Sequence, residues 1–248
     1  MAVVTSARTL SPADLTAHLF DLDGVVTPTA EVHKRAWATM FEEFLTSRGV
    51  AAPYTEADYF EHVDGRPRYD GVRAVLASRG LEVPEGEDVD PADQPAGAET
   101  VRGLGNRKND LVLELLRRDG VSAYPGTVAY LDSLGARARL AIVSSSRNAE
   151  EVLRAAGLRE RFEHVVDGNV AAAEHLPGKP APDTFLRAAA LLGVEPADAA
   201  VYEDAVSGVA AGAAGGFGAV VGVDRGAGRE ELAAAGASLV VADLEELA

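Results

Sequence analysis

The segment Ala-His-Leu-Phe-Asp-Leu-Asp-Gly at residues 17–24 is the strongest indication of the fold, because a short apolar run stops abruptly at two acids and a glycine. Three later segments repeat this arrangement: 140–143 before Ser144, 199–202 before Glu203, and 219–223 before Asp224. Short runs without polar alternation are typical of strands buried on both faces of a parallel sheet. We therefore predict a mostly parallel sheet whose strands end at polar residues.

Segments rich in Ala and Leu with helical spacing lie between these strands, at 148–156, at 183–192 and at 206–214. Strand, crossover helix and strand in alternation predict an α/β fold with a doubly wound, Rossmann-like sheet. The glycine-rich segment 212–218 resembles a dinucleotide loop only superficially, because it follows a helix and precedes a strand. We interpret it as a helix end and a tight turn.

Residues 29–119 have a different pattern, with helical spacing and no convincing parallel strand. A long helix is predicted from about Thr29 to near Gly49, and further helices at 69–78 and 110–118. One face of the first helix carries large apolar side chains: Trp37, Phe41, Phe44 and Leu45. We predict a helical cap domain at 29–119, inserted after the first strand of a core domain formed by 1–28 and 120–248. Pro, Gly, Asp and Glu dominate 84–97, which predicts a mobile loop.

The composition excludes several functional classes. The 248 residues include 39 Asp and Glu against 23 Lys and Arg, a net charge of -16 that should repel nucleic acid and anionic membranes. Without cysteine there is no disulfide, thiol nucleophile or cysteine-bound metal. No apolar run approaches the roughly 18 residues of a membrane span, and residues 1–10 do not have the pattern of an export signal. We expect a cytoplasmic monomer.

Asp21 and Asp23 are the first candidates for chemistry. Residues two apart in an extended segment point the same way, so both carboxylates can face one site, and Gly24 allows a sharp turn after them. Two carboxylates this close need a cation or a shared proton, and Mg²⁺ prefers such oxygen ligands. Considered alone, a surface turn with solvated acids explains the segment equally well.

Residues at the other strand ends favour a ligand site over a surface turn, because ligands of open α/β sheets bind where the strands reach their carboxyl ends. Such positions hold the run Ser144-Ser145-Ser146, then Lys179, and then the pair Glu203-Asp204. A helix cap at Ser146, a solvated loop lysine and another turn are the structural alternatives. Because hydroxyl, lysine and acidic residues recur at successive strand ends, we favour a single site that binds a phosphoryl group.

These four motifs resemble those of the haloacid dehalogenase superfamily, and the insert resembles that superfamily's cap domain. The resemblance implies Asp21 as nucleophile, Asp23 as general acid and base, and Ser144 and Lys179 as stabilisers of phosphoryl charge. It also implies a Mg²⁺ cofactor, bound by Asp21, the backbone carbonyl of Asp23 and Asp204, with Glu203 either as a further ligand or as a partner of the ion's waters.

Within that superfamily, the chain resembles the beta-phosphoglucomutase-like subfamily. The matching segments begin with Thr-Ala-Glu-x-His-x-Arg-Ala-Trp at 29–37 and Asp-Gly-Arg-Pro-Arg at 64–68. They continue with Arg-Lys-Asn-Asp at 107–110 and the phosphate loop at 144–148. The substrate-binding residues implied are His33, Trp37, Gly65, Arg68, Lys108, Ser145, Ser146, Arg147 and Asn148.

Two positions depart from the subfamily pattern: Asp64 replaces a usual lysine, which bears on contact with the distal phosphate, and Pro28 replaces a usual acid. Without the resemblance, His33 is equally well explained as a packed helix residue, whereas Trp37 is more often a core residue. Arg68 and Lys108 would ordinarily be solvated charges.

The activity implied is Mg²⁺-dependent phosphoryl transfer through an aspartyl phosphate, with a small phosphorylated sugar as substrate. A mutase would interconvert beta-glucose 1-phosphate and glucose 6-phosphate. The main alternative is a sugar-phosphate phosphatase with the same catalytic residues, in which water resolves the aspartyl phosphate. A phospho-accepting receiver domain is an alternative from another class, although such a module is about half this length. A non-catalytic sugar-phosphate-binding protein is a further alternative, which the intact Asp21 and Asp23 disfavour.

Overall fold

A computed structural model describes residues 12–87 and 98–248 of the chain. Its centre is a six-stranded sheet in the order β3-β2-β1-β4-β5-β6, and every neighbouring pair is parallel. The strands are β1 (Ala17–Phe20), β2 (Arg139–Val143), β3 (His164–Val166), β4 (Ala199–Glu203), β5 (Ala219–Val223) and β6 (Leu239–Val241). In β1, Ala17 pairs in register with both Arg139 and Ala199.

Helices cover both faces of the sheet and form the segment that follows β1. They are α1 (Thr29–Ser47), α2 (Glu56–Asp58), α3 (Arg68–Ser78), α4 (Val101–Asp119), α5 (Pro125–Ser133), α6 (Ala149–Ala155), α7 (Gly168–Ala173), α8 (Asp183–Leu192), α9 (Val206–Ala214) and α10 (Arg229–Ala234). A π-helical turn at Tyr59–Val63 follows α2. The doubly wound α/β prediction is therefore confirmed.

Alternation along the strands divides the core between the two faces of the sheet. Phe20 and Tyr202 pack with Tyr130 of α5 on one face. Leu19 and Val201 pack with residues of α8, including Phe185, on the other. Burial on both faces explains why the central strands read as continuous apolar runs in the sequence.

The strands predicted at 17–20, 140–143, 199–202 and 219–223 are all present. Two strands were missed, β3 and β6, because each has three residues and lies at an edge of the sheet. So short a run carries no periodic signal. The helix end and turn predicted within 212–218 is also present, since α9 ends at Ala214 and β5 begins at Ala219.

The helix predicted at 110–118 begins nine residues earlier, at Val101 of α4. Two glycines in its first turns, Gly103 and Gly105, weakened the helical pattern. Gly103 is required there by packing, because a Cβ atom would lie 2.1 Å from the carbonyl oxygen of Ala98. Thr100 caps the helix by accepting from the Gly103 N–H at 2.9 Å.

Helices α1, α3 and α4 enclose a separate hydrophobic core. The predicted apolar face of α1 lies in it, and Trp37, Phe41, Phe44 and Leu45 are all buried. Because α1 begins at Thr29 and α4 ends at Asp119, we refer to residues 29–119 as the helical insert. The division into cap and core domains at these residues stays a prediction.

Pro84 and Glu85 are hydrogen-bonded to the start of α4: Val101 N–H donates to the Pro84 carbonyl at 3.0 Å and Arg102 N–H to that of Glu85 at 3.1 Å. Residues 88–97 of the predicted mobile loop and the N-terminal residues 1–10 lie outside the described residues. Within 12–87 and 98–248, no helix combines the length and apolar character needed to cross a bilayer.

Candidate active site

The carboxyl ends of β1, β2 and β4 lie side by side because these strands are adjacent in the sheet. Asp21 directly follows β1, and its N–H donates to the carbonyl of Tyr202 at 2.9 Å. Ser144 directly follows β2, and its N–H donates to the carbonyl of Val166 at 3.0 Å. The sheet pairing thus extends one residue beyond the strands and fixes the backbone of both polar residues.

Three buried acids meet at this edge. One carboxylate oxygen from each of Asp21, Glu203 and Asp204 lies within 4.8 Å of the others. The predicted convergence of the first and last motifs is therefore present in the structure. Two glycines make room for these acids. At Gly24, where φ is 94°, a Cβ would lie 1.8 Å from Asp204 Oδ2, and at Gly208 it would lie 1.8 Å from Glu203 Oε1.

Lys179 joins this acidic cluster from the loop before α8. Its Nζ lies 2.5 Å from Asp21 Oδ1 and 3.1 Å from the carbonyl of Val143, and it also donates to Glu203 Oε1. The side chain is buried. Burial opposes its charge, but the carboxylates of Asp21 and Glu203 outweigh that effect and raise the pKa of Lys179 above its ordinary value.

The acidic cluster carries more negative charge than one ammonium neutralises. Burial raises the pKa of Asp21, which the charge of Lys179 opposes, and repulsion from Glu203 adds to the rise. The pKa of Asp204 is likewise raised, by burial and by repulsion from Asp64 and Glu203. Three buried carboxylates around a single lysine fit a hard divalent cation, because its charge would offset this repulsion.

Asp23 has different partners, although it lines the same cavity. Its Oδ1 accepts from Thr29 Oγ1 at 2.5 Å and lies 3.6 Å from His33 Nε2. Its Oδ2 accepts from Ser144 Oγ at 3.3 Å. The Asp23 carboxylate is therefore held between α1 and the end of β2. Thr29 is a partner that sequence reasoning missed; its position at the start of α1, facing the turn after β1, was the available signal.

Lys108 and Trp37, both buried, form a second group on the helical insert with the partly buried His33. Lys108 Nζ lies 2.7 Å from His33 Nδ1 and 4.8 Å from the centre of the Trp37 ring. Burial, with the nearby Arg68 charge, lowers the pKa of Lys108 well below its ordinary value. Burial and Lys108 together lower the pKa of His33 to about 4. His33 is therefore neutral near pH 7.

Arg68 and Asn148 meet through Asn109, which was not among the predicted site residues. Arg68 Nη2 donates to Asn109 Oδ1 at 2.6 Å, and Asn148 Nδ2 donates to the same oxygen at 2.9 Å. Asn109 thus connects the helical insert with the loop after β2. Its place beside Lys108 in the matching 107–110 segment was the available sequence signal.

The loop after β2 is shaped by its own hydroxyls. Ser146 N–H donates to Ser144 Oγ at 3.1 Å, and Asn148 N–H donates to Ser146 Oγ at 3.2 Å. Ser145 Oγ instead donates to the carbonyl of Gly65 in the helical insert at 2.8 Å. The Arg147 side chain lines the cavity.

A cavity of about 560 Å³ lies between the sheet edge and the helical insert. Of the predicted site residues, it is lined by Asp21, Asp23, His33, Trp37, Gly65, Arg68, Lys108, Ser144, Ser145, Ser146, Arg147, Glu203 and Asp204. Lys179 and Asn148 reach the site through their contacts with Asp21 and Asn109. Tyr59 and His175 also line the cavity and were not predicted, because no motif singled them out.

Asp64, the acid that replaces a usual lysine, faces the acidic cluster. Burial raises the pKa of Asp64 to about 6; a Tyr59 hydrogen bond opposes the rise and Glu203 adds to it. Asp64 in turn raises the pKa of Asp204. An acid at position 64 therefore changes the pKa values of the acidic cluster. Arg68 and Lys108, the candidates for binding a second phosphate, interact with each other.

Comparisons with known proteins agree with this geometry. A family model described as haloacid dehalogenase-like hydrolase matches residues 15–216. The chain is 49% identical over 247 residues to a beta-phosphoglucomutase of Mycobacterium tuberculosis, covering 95% of this chain and 92% of that protein. It is also 30% identical to a fructose-1-phosphate phosphatase of Escherichia coli, covering 82% of this chain and 93% of the relative.

Among solved structures, a beta-phosphoglucomutase from Clostridium difficile superposes with a TM-score of 0.75 at 25% sequence identity. The superposition covers 94% of this chain and 93% of the other. Both the sheet and the helical insert therefore have a counterpart of known structure.

Proposed function

The chain belongs to the haloacid dehalogenase-like hydrolase family and is an enzyme, and we propose that it is a magnesium-dependent phosphoglucomutase. Its substrate is a phosphorylated hexose, and the reaction interconverts beta-glucose 1-phosphate and glucose 6-phosphate through an aspartyl phosphate. The cavity carries this proposal, because it is lined both by acids that Lys179 contacts and by the cations Arg68 and Lys108. A hexose bisphosphate needs one site for the phosphoryl group that reacts and a second for the phosphate that does not.

Asp21 is the proposed nucleophile. A bond forms between one of its carboxylate oxygens and phosphorus as the bond from phosphorus to the sugar oxygen breaks. Lys179, at 2.5 Å from Asp21 Oδ1, keeps the carboxylate oriented and compensates charge on the phosphoryl oxygens. Ser144, whose backbone is held by β3, supplies a hydroxyl at the same edge of the sheet.

Asp23 is the proposed general acid and base. It gives a proton to the sugar oxygen that leaves, and then takes a proton from the sugar hydroxyl that attacks the phosphorylated Asp21. Thr29 of the helical insert donates to its carboxylate, and His33 lies 3.6 Å from it, so the position of the acid depends on the position of the insert. This dependence favours transfer to a bound sugar over transfer to water.

Magnesium fits the buried carboxylates of Asp21, Glu203 and Asp204, and we propose that these residues and the backbone carbonyl of Asp23 hold it. When bound, the ion supplies positive charge that stabilises the phosphoryl oxygens beside the acids. Arg68 and Lys108, supported by Arg147 and Asn148, bind the phosphate that does not react. A guanidinium suits this task because it donates two parallel hydrogen bonds.

A sugar-phosphate phosphatase is the second candidate, and the similarity to the Escherichia coli phosphatase favours it. The same Asp21 and Asp23 would serve, with water in place of the sugar hydroxyl. The receiver-domain alternative does not fit, because the chain is an enzyme and carries the helical insert.

One assay separates the two enzymes. Beta-glucose 1-phosphate is supplied with Mg²⁺ and a trace of glucose 1,6-bisphosphate, and glucose 6-phosphate and inorganic phosphate are measured in the same reaction. We expect glucose 6-phosphate with little free phosphate. Phosphate alone would assign the phosphatase, and neither product would overturn both assignments.

A further inference from the structure

The turn at Asp64 and Gly65 of the helical insert accepts hydrogen bonds from two separate segments of the sheet-containing part of the molecule. Ser145 Oγ, in the loop after β2, donates to the Gly65 carbonyl at 2.8 Å. Ser207 Oγ, in the first turn of α9, donates to the Asp64 carbonyl at 2.9 Å. Two hydroxyls thus hold two consecutive carbonyls of one turn. We call Ser145 and Ser207 the hydroxyl clasp.

The backbone of this turn is shaped to present those carbonyls. Arg66 N–H donates to the Val63 carbonyl at 3.1 Å, Asp64 has φ -56° and ψ 127°, and Gly65 has φ 69°. These values define a type II turn, which needs glycine at its second central position. The hydrogen bond of such a turn joins its outer residues, so the carbonyls of Asp64 and Gly65 are not used by it and accept from outside.

Close packing accompanies the hydrogen bonds. A Cβ at Gly65 would lie 2.3 Å from Ser207 Oγ and 3.0 Å from the Ala205 Cβ, so a side chain at Gly65 would separate the turn from α9. A Cβ at Gly178 would lie 2.3 Å from Pro67 Cγ, which shows a second close approach one residue before Lys179. The insert is therefore seated against the segments that carry Asp204 and Lys179.

We propose that Ser207 is a positioning residue that, with Ser145, holds the helical insert closed over the cavity during phosphoryl transfer. This inference rests on the proposed function. Ser207 lies three positions after Asp204 and does not line the cavity, so it acts through the turn and not by contact with the substrate. Both acceptors are backbone carbonyls, so the clasp does not require a particular side chain at position 64.

The clasp matters because closure decides which acceptor reaches phosphorylated Asp21. In the closed state the sugar hydroxyl attacks phosphorus and the bond from phosphorus to the Asp21 oxygen breaks. In an open state water attacks instead, inorganic phosphate leaves, and the proton passes to Asp23. Loss of one neutral hydrogen bond changes the ratio of closed to open states roughly two- to tenfold.

The test uses Ser207→Ala in the full chain, with Ser207→Thr to restore the hydroxyl. The matched control is Ser133→Ala, because the Ser133 hydroxyl donates within its own helix, to the carbonyl of Tyr130. Two quantities are measured: the ratio of inorganic phosphate to glucose 6-phosphate during turnover, and the midpoint of a fluorescence titration of Trp37 with glucose 6-phosphate. Trp37 is the one tryptophan of the sequence, and it lines the cavity.

We expect Ser207→Ala to raise the product ratio and the titration midpoint roughly two- to tenfold. Ser207→Thr and Ser133→Ala should resemble the wild type. A purely structural role would lower the melting temperature without changing the product ratio, and that result would overturn the proposal. If the wild type releases only phosphate, the mutase assignment fails, and the fluorescence midpoint of Ser207→Ala then decides on the clasp alone: a raised midpoint supports it and an unchanged midpoint overturns it.

Discussion

Lys179 Nζ lies 2.5 Å from Asp21 Oδ1, and both side chains are buried at the carboxyl edge of the sheet. The lysine comes from the loop before α8 and the acid from the end of β1, 158 residues apart in the chain. Because the same ammonium also donates to Glu203, it fixes two acids at once. Removing it would leave several carboxylates buried together without a permanent cation.

Lys179→Met should therefore lower kcat by at least about a hundredfold, the usual effect of removing one group that stabilises transition-state charge. Without the ammonium, mutual repulsion should also change how Mg²⁺ binds, so kcat is measured across a Mg²⁺ titration. Arg154→Met, which removes an exposed cation paired with Glu150, is the control and should keep near-normal kcat. Recovery of full activity by excess Mg²⁺ would contradict a role for Lys179 at the phosphoryl group.

Asp23→Asn should lower kcat for beta-glucose 1-phosphate by about 10²- to 10⁴-fold, because the sugar oxygen then leaves without a proton. p-Nitrophenyl phosphate has a leaving group that needs no proton, so phosphoryl transfer from it to Asp21 should fall far less. The measurement compares the two substrates in single-turnover experiments. An equal loss with both would show that Asp23 does not act as the acid. Asp132→Asn, at an exposed ion pair with Arg161, is the control.

The sequence was most informative where a strand is buried on both faces. β1 and β4 appear in it as short runs that are apolar except for His18 and the final Glu203, because their residues pack against helices on either side. β3 and β6 could not be found in this way, since each pairs on one side only and has three residues. Their existence depends on the neighbouring strand, which a local pattern does not contain.

The same distinction holds for the site. Asp21, Ser144 and Glu203 were predictable together, because strand ends in a parallel sheet share one edge. The contacts of Ser207 and Asn109 with the opposite part of the molecule were not predictable, since they depend on how the helical insert sits against the sheet layer. No spacing in the sequence encodes that orientation.

Arg68→Ala should raise KM for glucose 1,6-bisphosphate by about ten- to a hundredfold, the usual range for losing a hydrogen bond to a charged group. Hydrolysis of p-nitrophenyl phosphate should hardly change, since that compound has no second phosphate to bind at Arg68. The two KM values are measured on the same preparation, with Arg118→Ala as an exposed control. Equal effects on both substrates would argue against a distal-phosphate role.

His18 offers a test of the fold away from the site. It is 1% exposed, its Nδ1 lies 2.8 Å from the Tyr202 hydroxyl, and burial lowers its pKa from 6.5 to about 4. The histidine of the unfolded chain takes up a proton at a higher pH than the histidine of the folded chain. Above pH 6.5 both are neutral, and protonation does not favour the unfolded chain. As the pH falls from 6.5 toward 4, protonation of the unfolded chain lowers the free energy of unfolding by at most about 3 kcal/mol.

His18→Phe should therefore remove part of the loss of stability in acid. Tyr202 keeps a partner in the variant, because its hydroxyl also lies 2.6 Å from that of Tyr130. The free energy of unfolding is measured with urea at pH 7 and pH 5 for both proteins. The decrease between the two values should be smaller for the variant, by about 1 to 2 kcal/mol, because at pH 5 the unfolded histidine is mostly protonated and the folded one is not. If the two decreases were equal, His18 would have nearly the same pKa in the folded and unfolded chains, and burial on β1 would not be what keeps it neutral.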